Sequence, residues 1–265
     1  MSRDASFDAW TAGQNYDRYM GRWSRAVANR FLAWLDPQTG LDWLEVGCGT
    51  GALTAAILDR CDPRSVWATD PSDGFVAHTR AAISDGRARF DVADAAALPG
   101  DDQSVDVVTS ALAFNFFPDR QAALGEMRRI LRPSGRIAFY VWDYPSGGVG
   151  FIDAFWKAAA KLDPKAAKLD EARRFPFCVR DGLLDECRAA GLADVVVESL
   201  EIETTFPDFD ALWQPFTLGA GPAPGYCVSL DEAARSALKA ELRRSLGSDA
   251  PIRLLARAWA VRADR

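Results

Sequence analysis

Gly47, Gly49 and Gly51 fall in the segment Leu44-Glu45-Val46-Gly47-Cys48-Gly49-Thr50-Gly51, where an apolar run ends and a helical pattern begins. Without a Cβ, such residues accept positive φ and let backbone N–H groups approach an anionic ligand at the positive end of the next helix. Gly47, Gly49 and Ala52 also satisfy the G-x-G-x-x-G/A spacing of dinucleotide-binding turns, so the glycines alone admit a pyrophosphate equally well. The neighbouring acids narrow the chemistry. Glu45 stands just before the loop, where a carboxylate would anchor, directly or through water, an ammonium group for which NAD has no counterpart. Asp70 ends the second apolar segment, placed to accept from both ribose hydroxyls, a role shared with NAD sites. Asp94 follows the third, placed to receive an adenine amino group. A helical stretch precedes the first strand, whereas an N-terminal NAD domain usually opens on the strand itself. Together these features favour S-adenosylmethionine over a dinucleotide. Asp70 and Asp94 also admit a plainer role as caps of the turns that follow them, and Asp91, Asp101 and Asp102 share the connection with Asp94.

Such a site needs a scaffold that gathers strand ends. Strand patterns fall at 41–46, 65–70, 88–92, 105–112 and 136–142, and helical ones at 52–60, 74–83 and 121–131, the last stopped by Pro133 and Gly135. Residues 105–112 form a β-branched run of the kind buried on both faces of a parallel sheet. This alternation predicts an α/β fold with a doubly wound, mostly parallel sheet. Further on come helices at 150–162 and 180–190, a strand at 195–205, a Pro- and Gly-rich passage at 219–225 between two helical stretches, and a last strand at 252–261. Ahead of the first strand, Tyr16, Tyr19, Met20, Trp23 and Val27 share one helical face. The expected organisation is a helical lid over 1–36, a core of 37–142, 181–206 and 251–265, and helical additions at 143–180 and 207–250 that cap the substrate site.

Composition excludes several functions. The 31 Lys and Arg residues against 37 acids leave a net charge of −6 with no long basic run, which argues against nucleic acid as a partner. Five cysteines without C-x-x-C spacing, an odd total, suit a reduced, cytoplasmic setting. His78 is the only histidine, so neither a Cys/His metal site nor a Ser-His-Asp triad is expected, and His78 itself points away from the strand ends. The opening MSRDASFDAW has no apolar core, and no stretch approaches the roughly 20 apolar residues of a membrane span.

LEVGCGTG, TDPSDGF, VADAAALP and VDVVTSALAFNFFPD, followed by EMRRILRPSGRI, resemble successive motifs of class I S-adenosylmethionine-dependent methyltransferases, specifically the type 11 methyltransferase domain, across residues 41–142. The resemblance implies a Rossmann-like methyltransferase fold of seven strands, the last antiparallel, a place that 252–261 would fill. It implies that Gly47, Gly49 and Gly51 lie along the methionyl moiety, that Asp70 binds ribose, and that Asp94 and Ala95 contact adenine. Pro71 and Ala111, in the same motifs, join this cofactor-binding set. Arg22, on a helix where related domains place a basic residue, would reach the cofactor's carboxylate.

The expected function is therefore in-line methyl transfer to a small, hydrophobic or aromatic molecule. A cofactor-binding module without catalysis is one alternative. An NAD-dependent oxidoreductase is another, weakened by the missing His, Lys or Tyr-x-x-x-Lys constellation. The acceptor is expected at the ends of the fourth and fifth strands, near Phe114 and Phe116, with Asn115, Tyr140 and Trp142 as substrate-proximal candidates and no base assigned. Asn115-Phe116-Phe117-Pro118 departs from the (Asn/Asp)-Pro-Pro-(Tyr/Phe) motif of amino-group methylation. Tyr16, Tyr19 and Trp23 fit core packing, or alternatively a lid. Trp213, Phe216 and Tyr226 either close the pocket or pack the second addition, an aromatic surface also compatible with a homodimer.

Overall fold

The structure, a computed structural model, describes residues 13–247 and 249–265. Residues 1–12, where the expected lid begins, and Ser248 of the second addition lie outside the described residues. Along the chain, α1 (Gly13–Tyr16) and a π turn (Asp17–Gly21) lead into α2 (Arg22–Leu35). There follow β1 (Asp42–Val46), α3 (Ala52–Arg60), β2 (Ser65–Asp70), α4 (Asp73–Ala82), β3 (Ala88–Val92), β4 (Val105–Ala111), α5 (Arg120–Ile130) and β5 (Leu131–Trp142). The remainder comprises α6 (Gly150–Leu162), α7 (Glu171–Arg174), α8 (Arg180–Ala189), β6 (Ala193–Phe206), α9 (Phe209–Trp213), α10 (Pro222–Ser229), α11 (Glu232–Leu246) and β7 (Ile252–Asp264). Two compact units result. A sheet unit holds Trp23–Trp142, Phe177–Leu200 and Ala258–Arg265, and a helical unit holds, among the described residues, 13–22, Asp143–Pro176 and Glu201–Arg257.

The seven strands run in the order β3-β2-β1-β4-β5-β7-β6. β1 pairs in parallel with both β2 and β4, β2 with β3 and β4 with β5, while β7 is antiparallel to β5, as expected for the last strand. The chain reverses its winding between β1 and β4, which is where an open α/β sheet leaves a crevice at the carboxyl ends of its strands. β4 owes its central place to its composition: Val105, Val107, Val108, Thr109 and Ser110 are all buried. On α2, Val27, Phe31 and Leu35 recur at helical spacing and are buried, with Phe31 packed at 4.7 Å on the ring of Tyr140 in β5. Asp119 caps α5 by accepting from the Ala122 amide, and Ser72 caps α4 by accepting from Phe75.

Two sequence expectations need correction. Pro133 and Gly135 do not end α5, which stops at Ile130, and they lie within β5. Leu131 already pairs with Val105 before a bulge carries the chain to the Val107–Arg136 pair, so the strand starts five residues ahead of the expected 136. Nor is 219–225 only a separator, because Pro222 opens α10, and prolines fit a first helical turn whose N–H groups have no intrahelical partner.

The helical unit is built on aromatic packing. α6 buries Phe151, Ile152, Phe155 and Trp156 along one face. Asp143, fully buried, pairs with Arg257 at 2.8 Å and accepts from the Ser146 amide. No helix among the described residues is long and apolar enough to cross a membrane.

Candidate cofactor site

β1 delivers Glu45 and then turns sharply. The amides of Gly47 and Cys48 both donate to the Thr69 carbonyl of β2, at 2.8 and 2.9 Å, which folds the loop back over the neighbouring strand end. At Gly47 φ is +77°, and a Cβ there would come within 2.6 Å of the Ala113 Cβ, a methyl fixed to the backbone with no freedom to swing aside. Gly49 differs: φ is +53° and nothing lies within 4 Å of a Cβ built there. The loop thus presents open space beside a half-buried glycine at its centre, as close approach of a ligand requires.

Asp70 fastens this loop. It ends β2, is 7% exposed, and accepts from the Gly49 amide at 3.0 Å and the Ser72 amide at 2.9 Å through different carboxylate oxygens. Burial raises its pKa and the two amides oppose the rise. A second side chain, absent from the sequence expectations, grips the same residue: Thr79 of α4 donates to the Gly49 carbonyl at 2.7 Å. Glu45 is fully buried. Its Oε2 accepts from the Thr54 hydroxyl of α3, its Oε1 has no hydrogen-bond partner, and Thr109, its register neighbour on β4, has a buried hydroxyl equally without one. Burial pushes the Glu45 carboxyl up to about 8, with Thr54 opposing and Asp70 adding to the rise. An orphaned carboxylate oxygen beneath the loop is a chemical match for an ammonium group, directly or through water.

The other expected residues are placed as follows. The Ala93 amide donates to the Asp70 carbonyl at 3.1 Å, tying the connection that carries Asp94 and Ala95 to the end of β2. Asp94 is exposed and accepts from the Ala96 amide, Ala95 is buried, and Pro71 is exposed. Ala111 ends β4, half-buried, and is followed by Leu112, whose φ of +57° is a costly conformation for a branched side chain. Asn115 sits in a 3-10 turn (Phe114–Phe116) flanked by Ala113 and Phe117, the residues that abut Gly47. It is 3% exposed, and both ends of its amide lack a hydrogen-bond partner. Tyr140 and Trp142 are buried in β5. Arg22 belongs to the helical unit, where its guanidinium lies 4.7 Å from the centroid of Phe206. Thr54 and Thr79 escape sequence reasoning because a threonine in a helix carries no signal until the fold shows what faces it.

A reversal of winding at β1 and β4, a glycine loop at that reversal, and acids at the ends of β1 and β2 make up the kind of α/β crevice in which nucleotide ligands are held. The family described as methyltransferase domain matches residues 44–139. The chain is 31% identical over 250 residues to nocamycin O-methyltransferase of Saccharothrix syringae, a match covering 89% of this chain and 88% of that one. It is 29% identical over 221 residues to malonyl-[acyl-carrier protein] O-methyltransferase of Geobacter sulfurreducens, covering 83% and 78%. In fold it is similar to the solved structure of Haemonchus contortus phosphoethanolamine N-methyltransferase 2 in complex with S-adenosyl-L-methionine, at a TM-score of 0.63 and 16% identity, covering 100% of this chain and 60% of that one. The chain belongs to the class I S-adenosylmethionine-dependent methyltransferases, and S-adenosylmethionine is its cofactor.

Proposed function

We propose that this enzyme methylates an oxygen atom of a small, hydrophobic or aromatic molecule in the cytoplasm, with no nucleic acid among its partners. The observation that carries the reading is Asn115: a buried primary amide with neither end satisfied, on the turn that touches the glycine loop, is a polar point left for a ligand. Oxygen as the accepting atom is supported by two relatives named for O-methylation, each matched along most of both chains. The net charge of −6 disfavours a polyanionic acceptor.

When bound, S-adenosylmethionine supplies a methyl group already activated on a sulfonium. The chain's own task is alignment. Holding acceptor and methyl in line near contact distance is worth roughly 7–11 kcal/mol of the barrier. In this reading Asp70 would hold the ribose, Gly47 to Gly51 would lie along the methionyl group, Glu45 would face the ammonium, Asp94 and Ala95 would meet the adenine, Arg22 would serve the carboxylate, and Pro71 and Ala111 would complete the cofactor-binding set. Asn115 orients the acceptor, with Tyr140 and Trp142 shaping the ground beneath it.

The test is transfer of label from S-adenosyl[methyl-³H]methionine to a panel of phenols, enols, carboxylic acids and amines, with S-adenosylhomocysteine affinity measured alongside. Label is expected on an oxygen acceptor. Asp70→Ala should weaken S-adenosylhomocysteine binding about tenfold to a hundredfold, since hydrogen bonds to a charged group contribute about 1.5–3 kcal/mol. Unchanged affinity in that variant would overturn the site, and label carried only by amines would overturn the oxygen assignment.

A further inference from the structure

The three glycines of the loop are not equivalent. A Cβ on Gly49 would meet nothing within 4 Å, whereas one on Gly47 would lie 2.6 Å from the Ala113 Cβ and 3.6 Å from the Phe117 Cε1, and one on Gly51 would lie 2.6 Å from the Thr79 Cγ2. Groups packed this closely leave no room for a ligand between them, so the side that Gly47 turns to Ala113 is taken by protein. Its backbone is still free to lie along a methionyl group. What the missing Cβ on Gly47 makes room for is the turn that follows β4.

That turn is held from several directions. The Leu112 amide donates to the Tyr140 carbonyl of β5 at 2.9 Å, and its left-handed φ of +57° then carries the chain out of the sheet. Phe114 packs on Phe139 of β5 with ring centroids 4.4 Å apart, and the Phe116 and Phe117 amides donate back to the Ala113 and Phe114 carbonyls at 2.8 and 3.2 Å. Ala113 is therefore fixed on one side by β5 and on the other by its own turn. Asn115 stands two residues further on, buried, with both ends of its amide without a partner. We propose that Ala113 is a positioning residue: its methyl, seated against Gly47, sets where Asn115 stands beside the cofactor loop. The seat joins groups that touch before either ligand binds, so the acceptor's polar contact is placed in advance. The proposal rests on the reading of Asn115 given above, but its test uses no acceptor and fails separately from that reading.

The chain has three asparagines, so selective ¹⁵N-asparagine labelling gives three side-chain amide signals, and the one missing from Asn115→Ser identifies Asn115. This signal, S-adenosylhomocysteine affinity and thermal unfolding are compared in wild type, Gly47→Ala, Ala113→Gly and the double variant. Gly47→Ala should displace the Asn115 signal and weaken S-adenosylhomocysteine binding about tenfold, the scale of an overpacked contact. In the double variant the Phe117 ring, at 3.6 Å, becomes the nearest neighbour of the new methyl. The Asn115 signal should return towards its wild-type position and affinity to within about fivefold of wild type, the rest being the strain of an alanine at positive φ. Gly49→Ala is the control: with no protein neighbour to give way, its loss of S-adenosylhomocysteine binding should persist when Ala113→Gly is added. A double variant no better than Gly47→Ala, an Asn115 signal indifferent to Gly47→Ala, or equal rescue of Gly49→Ala each overturns the proposal. Should Gly47→Ala not fold, a folded double variant supports the seat and an unfolded one overturns it. Were the wild-type chain not to bind S-adenosylhomocysteine, the cofactor site would fall, while the Asn115 signal would still decide the seat.

Discussion

Glu45 shows how one residue couples the cofactor site to solution conditions. In the folded chain burial pushes its carboxyl up to about 8, against an ordinary value of 4.5. The unfolded chain therefore releases this proton first, and the folded state is favoured by the group only while both states keep it protonated. That contribution is fully present below about pH 4.5 and is lost as pH rises through 8. Glu45→Gln keeps a polar group near Thr54 without the ionisation, so its stability relative to wild type, measured by urea unfolding without cofactor, should rise between pH 5 and pH 9. A constant difference across that range would show that Glu45 titrates normally. The same residue illustrates what sequence can supply: an acid just before a glycine loop is visible there, but its bond to Thr54 is not, since nothing local links positions nine residues apart on a strand and a helix.

At the scale of elements, the loop is held by the strand that precedes it, by β2 through Asp70 and by α4 through Thr79. α4 approaches closely: a Cβ on Gly51 would lie 2.6 Å from the Thr79 Cγ2. Thr79→Val keeps that shape and removes only the O–H that donates to the Gly49 carbonyl. The expected cost is about 1 kcal/mol of stability, with S-adenosylhomocysteine binding about fivefold weaker, and Thr79→Ser should restore most of both. Thermal unfolding and calorimetric titration of the three proteins check this; wild-type affinity in the valine variant would make α4 a bystander. The elements themselves were largely visible in the sequence because each strand carries its own apolar run: β2 and β3 have the expected bounds, 65–70 and 88–92. The first five residues of β5 were hidden by Pro133 and Gly135, local stop signals overridden by pairing of Leu131 with Val105. α10 was hidden for the converse reason, its prolines marking the start of a helix rather than a gap.

For the molecule as a whole, the two units carry different chemistry. In the sheet unit Asp70 and Thr79 each spend a hydrogen bond on Gly49, while Glu45 Oε1 and the Asn115 amide are left without partners near that loop. In the helical unit, rings surround a phenol that has no partner. Cofactor and acceptor should therefore leave separable marks in hydrogen exchange. S-adenosylhomocysteine should slow exchange at 44–51, 69–73 and 93–96, because it closes on backbone amides of the loop and on the ends of β2 and β3. An aromatic hydroxyl compound such as 2-naphthol should slow the turn at 113–117, where Asn115 orients the acceptor. The inference runs from stability to exchange: a ligand that binds only the folded form of a segment raises the free energy of opening that segment. Protection by S-adenosylhomocysteine of α6 and α7 with none at 44–51 would reverse the division. Exchange at 113–117 left unchanged by 2-naphthol would remove Asn115 from acceptor recognition, because a ligand that does not alter a segment's opening makes no energetic contact there.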